Sequence, residues 1–180
     1  FKGLHKLSIL YLHTNHLSAL QPGIFHDLSN LTELWLNENQ LTQLDVTLFQ
    51  GLHKLSSMSL STNHISTLQP GIFHDLSNLT ELWLYENQLT QLDVTLFQGL
   101  HKLSILSLRT NHLSTLQPGI FHDLSNLTQL DLYENQLTEL DVALFQGLHK
   151  LSILSLHINH LSTLQPGIFH DLSDLTELWL

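Results

Sequence analysis

The chain contains no cysteine, which excludes disulfide staples, thiolate metal sites and cysteine nucleophiles. Basic residues are scarce, 6 against 16 acidic ones, for a formal charge of -10 with histidine neutral. That balance repels phosphate backbones and argues against a nucleic-acid partner. Only 12% of residues are charged and 42% are hydrophobic, too apolar a mixture for a disordered chain. No apolar run approaches the roughly 18 residues needed to cross a bilayer, so no membrane contact by this segment is expected. A secretory leader is absent too. The chain starts at Phe1 and its one methionine is Met58, which reads as an internal piece of a longer protein. Gly-rich phosphate loops and nucleophile elbows are missing. Neither catalysis nor a cofactor is expected.

What is present is repetition. Residues 79–89 read LTELWLYENQL, a frame of Leu79, Leu82, Leu84, Asn87 and Leu89. The frame recurs every 24 residues without insertion, starting at Leu7, Leu31, Leu55, Leu79, Leu103, Leu127, Leu151 and Leu175. Residues 7–174 form seven full repeats; 1–6 match the end of a preceding one, and 175–180 open an eighth. Two repeat types alternate, so the deeper period is 48. With no linker or composition shift, 1–180 reads as a single uncapped array.

The periodicity has a direct physical meaning. Leu82-Trp83-Leu84 alternates inward leucine with an outward side chain, which predicts a short strand. Strands at fixed spacing stack into a parallel sheet with one outward face. Asn87 and its equivalents Asn15, Asn39, Asn63, Asn111, Asn135 and Asn159 follow each strand. An amide donates twice and accepts, so these residues can form a ladder satisfying turn backbone. All eight phenylalanines share one position (Phe1, Phe25, Phe49, Phe73, Phe97, Phe121, Phe145, Phe169), which predicts an inner spine. The four prolines all sit in Pro-Gly pairs, beginning with Pro22-Gly23, and mark a turn. Asp45, Asp93 and Asp141 stand where a cap would start a short helical turn. Return arms bulkier than the ~4.8 Å strand spacing should bend the stack with the sheet inside.

The frame resembles leucine-rich repeats of the 24-residue class, and the array looks like those of Toll-like receptor, Slit and variable lymphocyte receptor ectodomains. The resemblance covers all 180 residues. It implies an α/β repeat solenoid: a curved horseshoe with a parallel sheet on its concave face, short strands and mostly irregular or 3-10 return arms. It also implies a non-catalytic module that binds protein or peptide through that sheet face. The cysteine-rich end caps of extracellular members are lacking here.

The residues between the frame positions support a binding face. Every Trp and Tyr is predicted to project from it: Tyr11, Trp35, Trp83 and Trp179 in one column, Tyr85 and Tyr133 two residues further along. Such side chains bury much area at low entropy cost. Six of the seven glutamates join them (Glu33, Glu38, Glu81, Glu86, Glu134, Glu177), with Asp131. Arg109 is the one basic residue there; Lys54, Lys102 and Lys150 lie on the return arm. An acidic, aromatic surface suits a basic partner through steering and cation–π contact. Between the 48-residue copies, seven of eight outward columns differ, against six of the other forty. Asn37 stands against Tyr85, Asp131 against Trp35 and Trp83, and His13, Ser61, Arg109 and His157 share a column. Exposed return-arm positions such as His26, Gln50 and Lys54 do not change.

Other patterns carry less chemistry. The pairs His13/His16 and His157/His160 are the local histidine groupings, but neither has a carboxylate cage, and repeats keep His16, His64, His112 and His160 roughly 10 Å apart. No metal is expected. His26-Asp27 recurs at 74–75, 122–123 and 170–171, which reads as scaffold and not as part of a triad. Asn30, Asn78 and Asn126 open N-x-T sequons, and Asp174 removes the fourth; they fit glycosylation and an extracellular or cell-surface setting. Gln88 is constant among copies and is read as structural. Unfinished solenoid ends predict end-to-end self-association. Two alternatives share the frame: an intracellular scaffold or enzyme regulator, and a consensus-like engineered array without a natural ligand.

Overall fold

A computed structural model describes residues 1–180 in full. Eight three-residue strands form one parallel sheet in sequence order: β1 (Ile9–Tyr11), β2 (Glu33–Trp35), β3 (Ser57–Ser59), β4 (Glu81–Trp83), β5 (Ile105–Ser107), β6 (Gln129–Asp131), β7 (Ile153–Ser155) and β8 (Glu177–Trp179). Each strand pairs in register with its equivalent 24 residues on, as in Glu81↔Ile105, Leu82↔Leu106 and Trp83↔Ser107. The strands begin one residue earlier than the alternation suggests, at Glu81 and not Leu82. Inward and outward assignments are unchanged, and the ladder continues past the strand, with Leu84 N–H donating to Ser107 O at 2.8 Å.

The frame leucines and Phe25, Phe49, Phe73, Phe97, Phe121 and Phe145 make one continuous core, with Phe169 packed against it; Phe1 is exposed and covers only one face of Phe25. Leu79, Leu82, Leu84 and Leu89 are fully buried. Adjacent phenylalanine rings stack at 5.8–6.4 Å, from Phe1–Phe25 to Phe97–Phe121. Equivalent rings therefore step further per repeat than the ~4.8 Å between paired strands. The stack bends accordingly, with the sheet on the inside.

The asparagine ladder forms between layers. Asn87 Nδ2 donates to Leu60 O, Leu84 O and Tyr85 O, and its Oδ1 accepts from Ile65 N–H at 3.0 Å. One buried amide thus satisfies backbone groups of two repeats, which accounts for the asparagine in all seven. The residue just before each asparagine is left-handed, with φ of 52–56° at Thr14, Glu38, Thr62, Glu86, Thr110, Glu134 and Ile158. For a residue with a Cβ that conformation costs roughly 1–2 kcal/mol.

The return arms hold no helix. They are chains of i→i+3 turns, such as Leu48 N–H to Asp45 O and Gln50 N–H to Thr47 O. The α half of the α/β description is therefore represented by turns alone. Asp45, Asp93 and Asp141 cap those turns through the N–H two residues on; they do not start helices. The Thr47 hydroxyl and then its N–H hold the Asp45 carboxyl below the usual range, and Thr95 does the same for Asp93. In the other repeat type, Gln21 O accepts from Ile24 N–H across Pro22-Gly23, with Gly23 at φ 72°. That is a Pro-Gly turn in which a side chain at the second position would be strained.

Candidate functional site: the sheet face

In-register pairing turns sequence columns into rows across the face. The central row runs Tyr11, Trp35, Ser59, Trp83, Ser107, Asp131, Ser155, Trp179. From Trp35 on, serines alternate with larger residues, which are indoles except at Asp131. Trp35 and Trp83 lean over the intervening strand and stack, ring centroids 5.3 Å apart. Beneath them Ser59 is 2% exposed and Ser61 fully buried. This stack across two strands was not legible from the sequence, because its partners lie 48 residues apart. The signal that could have found it is the serine between two tryptophans, a small residue that leaves room for them to meet.

The remaining aromatics are also engaged. Tyr11 meets Trp35 edge-on at 6.1 Å and donates to Glu33 Oε2, which also accepts from Trp35 Nε1. Crowding by neighbouring atoms, then the Glu33 charge and hydrogen bond, raise the Tyr11 phenol above its ordinary value. Tyr11 also tilts onto His13 at 5.8 Å. The Arg109 guanidinium lies 4.5 Å from the Tyr85 ring centroid and 3.6 Å from Glu86. His157 packs on Tyr133 at 4.4 Å and reaches Trp179 at 6.0 Å.

The carboxylates divide into two groups. Glu38, Glu86 and Glu134 occupy the left-handed position, where each accepts from a threonine one repeat earlier (Thr14, Thr62, Thr110) at 2.9–3.0 Å. They lie on the exposed rim of the face. Glu33, Glu81 and Glu177 lie on the strands beside the central row, and Asp131 lies within that row. Asp131 bonds only to Tyr133 N–H at 3.1 Å and Ser107 Oγ at 3.4 Å. Asn37 Oδ1 is buried without a partner.

The return-arm motifs serve the scaffold. Asp75 of the second His-Asp pair accepts from Gly51 N–H at 2.8 Å, as Asp123 and Asp171 do from Gly99 and Gly147. Asp27 accepts from Gly3 N–H, which, with His26, lowers its carboxyl. The sequon asparagines are clamps. Asn78 Nδ2 donates to His53 O at 2.7 Å while its Oδ1 accepts from Lys102 Nζ at 2.6 Å. Asn30 and Asn126 make the same pairs with His5 and Lys54, and with His101 and Lys150. His16 and His112 meet Gln40 and Gln136 at 3.3 Å. No three His, Asp or Glu side chains converge as a metal cage would.

This geometry defines a leucine-rich-repeat solenoid presenting an acidic, aromatic sheet face. The leucine-rich repeat profile matches residues 1–41, 29–89, 77–137 and 126–180, and the chain belongs to the leucine-rich repeat family. Over 44 residues, 24% of this chain and 5% of the relative, it is 50% identical to human Toll-like receptor 5. Its fold is similar to that of TLR13 in the TLR13–ssRNA13 complex, with a TM-score of 0.90 and 33% identity over 96% of this chain. A leucine-rich-repeat protein of Leptospira interrogans gives a TM-score of 0.83 and 32% identity over 98% of this chain. The chain spans 24% and 44% of the lengths of those two solved chains.

Proposed function

We propose that the chain is a non-catalytic recognition module whose sheet face binds a basic protein or peptide. The observation that carries this reading is the charge of that face: seven carboxylates and Arg109, with Arg109 already engaged by Tyr85 and Glu86. Such a surface raises encounter rates with cations and offers ring faces to them on contact. The ssRNA in the TLR13 complex is a ligand of that protein. Here a net charge of -10 disfavours a polyphosphate, so protein is the preferred partner class.

Titration of the chain with an oligo-arginine peptide tests this. Affinity should fall steadily from low to physiological ionic strength and drop further in a Glu33→Gln/Glu81→Gln variant. Affinity indifferent to both salt and the double variant would sink the reading.

We further read residues 1–180 as one uninterrupted array within an extracellular or cell-surface ectodomain. Likeness to Toll-like receptor 5 and the three sequons support that setting. Asn78 keeps a second amide hydrogen beyond the one given to His53, so its clamp is compatible with a glycan. Mass spectrometry of the chain expressed through a secretory pathway should find Asn78 occupied; unmodified Asn30, Asn78 and Asn126 would remove this support.

A further inference from the structure

The tryptophan row has a gap. Trp35 and Trp83 bridge two strands and close over Ser59. One 48-residue unit later the same position is Asp131, facing Trp179 across Ser155. An aspartate is much shorter than an indole, and the volume a further indole would fill is open. A hollow of about 320 Å³ lies there, lined by Asp131, Ser155, His157 and Trp179 among others. Two of its six lining residues are aromatic, Trp179 and His157, and the His157 ring is tilted against both Tyr133 and Trp179. Its one charge is the Asp131 carboxylate, which no cationic side chain of this chain reaches.

The preceding unit shows what such a combination holds. There the Arg109 guanidinium sits over the Tyr85 ring and within 3.6 Å of Glu86. At the equivalent of Arg109 the last unit carries His157, so the chain supplies no guanidinium of its own. A planar, weakly hydrated cation that stacks on rings and forks onto a carboxylate is what the slot lacks.

We propose that the Asp131–Trp179 hollow is a subsite for one arginine side chain of the partner. The proposal deepens the reading of the face as a receptor for basic ligands and rests on it. The guanidinium would lie against the exposed face of Trp179, beside His157, and donate to the free lone pairs of Asp131. Lysine, a compact and strongly hydrated charge, gains less from the same walls.

The test uses N-acetyl-arginine methylamide as probe, with the lysine and citrulline counterparts, titrated against the full chain by NMR. The Trp179 indole N–H signal, assigned through Trp179→Phe, should shift saturably with the arginine probe. The lysine and citrulline probes should bind about ten-fold more weakly or worse. Asp131→Asn should weaken arginine by about ten-fold or more on the same grounds. Asp131→Trp should abolish the shift, and the fold carries that residue at positions 35 and 83. Shifts confined to Trp35 and Trp83, equal binding of the lysine probe, or wild-type binding by Asp131→Asn would overturn the assignment. Salt-dependent oligo-arginine binding by the wild-type chain with no Trp179 shift from the arginine probe would leave the face reading standing and remove the subsite. Binding of the small probe without binding of the peptide would do the reverse.

Discussion

The return arms and the sheet face come from the same repeat, yet they use polar groups differently. On the return arms the recurring clamps reach a partner one repeat away: Asp75 with Gly51, Asn78 with His53, Lys102 with Asn78. The face also has bonds between repeats, as from Thr62 to Glu86, but groups such as Asp131 and Asn37 Oδ1 keep unused capacity. The two regions also differ in how much the copies vary, and the bonding explains part of that. Lys54 is constant because it bonds Asn30, so its constancy says nothing about tolerance. His26, with its side chain 81% exposed, has no partner on another repeat. Gln50 is exposed as well. Their constancy still contrasts with the changing face. A buried or bonded scaffold and a variable face are thus separable jobs, and substitutions should sort cleanly between them.

The largest separation is expected at the ladder. Asn87→Ala orphans backbone groups of two layers and should cost about 3 kcal/mol in urea unfolding, with Phe97→Ala costing about 3–5 kcal/mol. An Asn87→Ala chain as stable as wild type would remove the ladder from the account. Next comes Trp83→Ala, which should cost about 2 kcal/mol of partner binding. Its stability loss should be about 1 kcal/mol, since the Trp35 stack goes with it. Full-strength binding by this variant would collapse the distinction between the regions.

Acid sensitivity belongs to the return arms. Asp27, Asp45 and Asp93 titrate below their ordinary value in the folded state. Their stabilisation is therefore present above about pH 4 and is lost as pH falls through the lowered values. Asp45→Asn/Asp93→Asn should flatten the drop of the urea midpoint below about pH 4; an unchanged slope would contradict the capping role. The smallest effect is Lys54→Ala. Its exposed clamp to Asn30 is worth about 0–1 kcal/mol, and partner affinity should not move.

Much of this was legible in the sequence. The frame leucines, the asparagine ladder and the phenylalanine spine follow from strict periodicity, because identical residues at identical spacing must stack. The non-helical return arms agree with the irregular or 3-10 arms that the resemblance implied. Asp45 caps its turn as the sequence suggests, and each arm closes in single turns before a longer helix can nucleate, since nucleation is costly. The Trp35–Trp83 contact escaped because it depends on side chains leaning across Ser59, a property of rotamers on a bent sheet. The left-handed Glu38, Glu86 and Glu134 escaped because that conformation is ordinarily glycine's. All the assigned face positions lie on the sheet side of the array, but as a packed surface and not as freestanding side chains.

The alternation of repeat types sets a length scale for any ligand. Like positions on the face recur every second strand, at a backbone interval of about 9.6 Å. An extended peptide along the solenoid axis covers that in about three residues, a helix in six to seven at ~1.5 Å per residue. A partner engaging both the Trp35–Trp83 stack and the Asp131 hollow must carry its anchoring groups in one of those two meters. The period of the array, fixed by its core, is thereby a ruler for its partner.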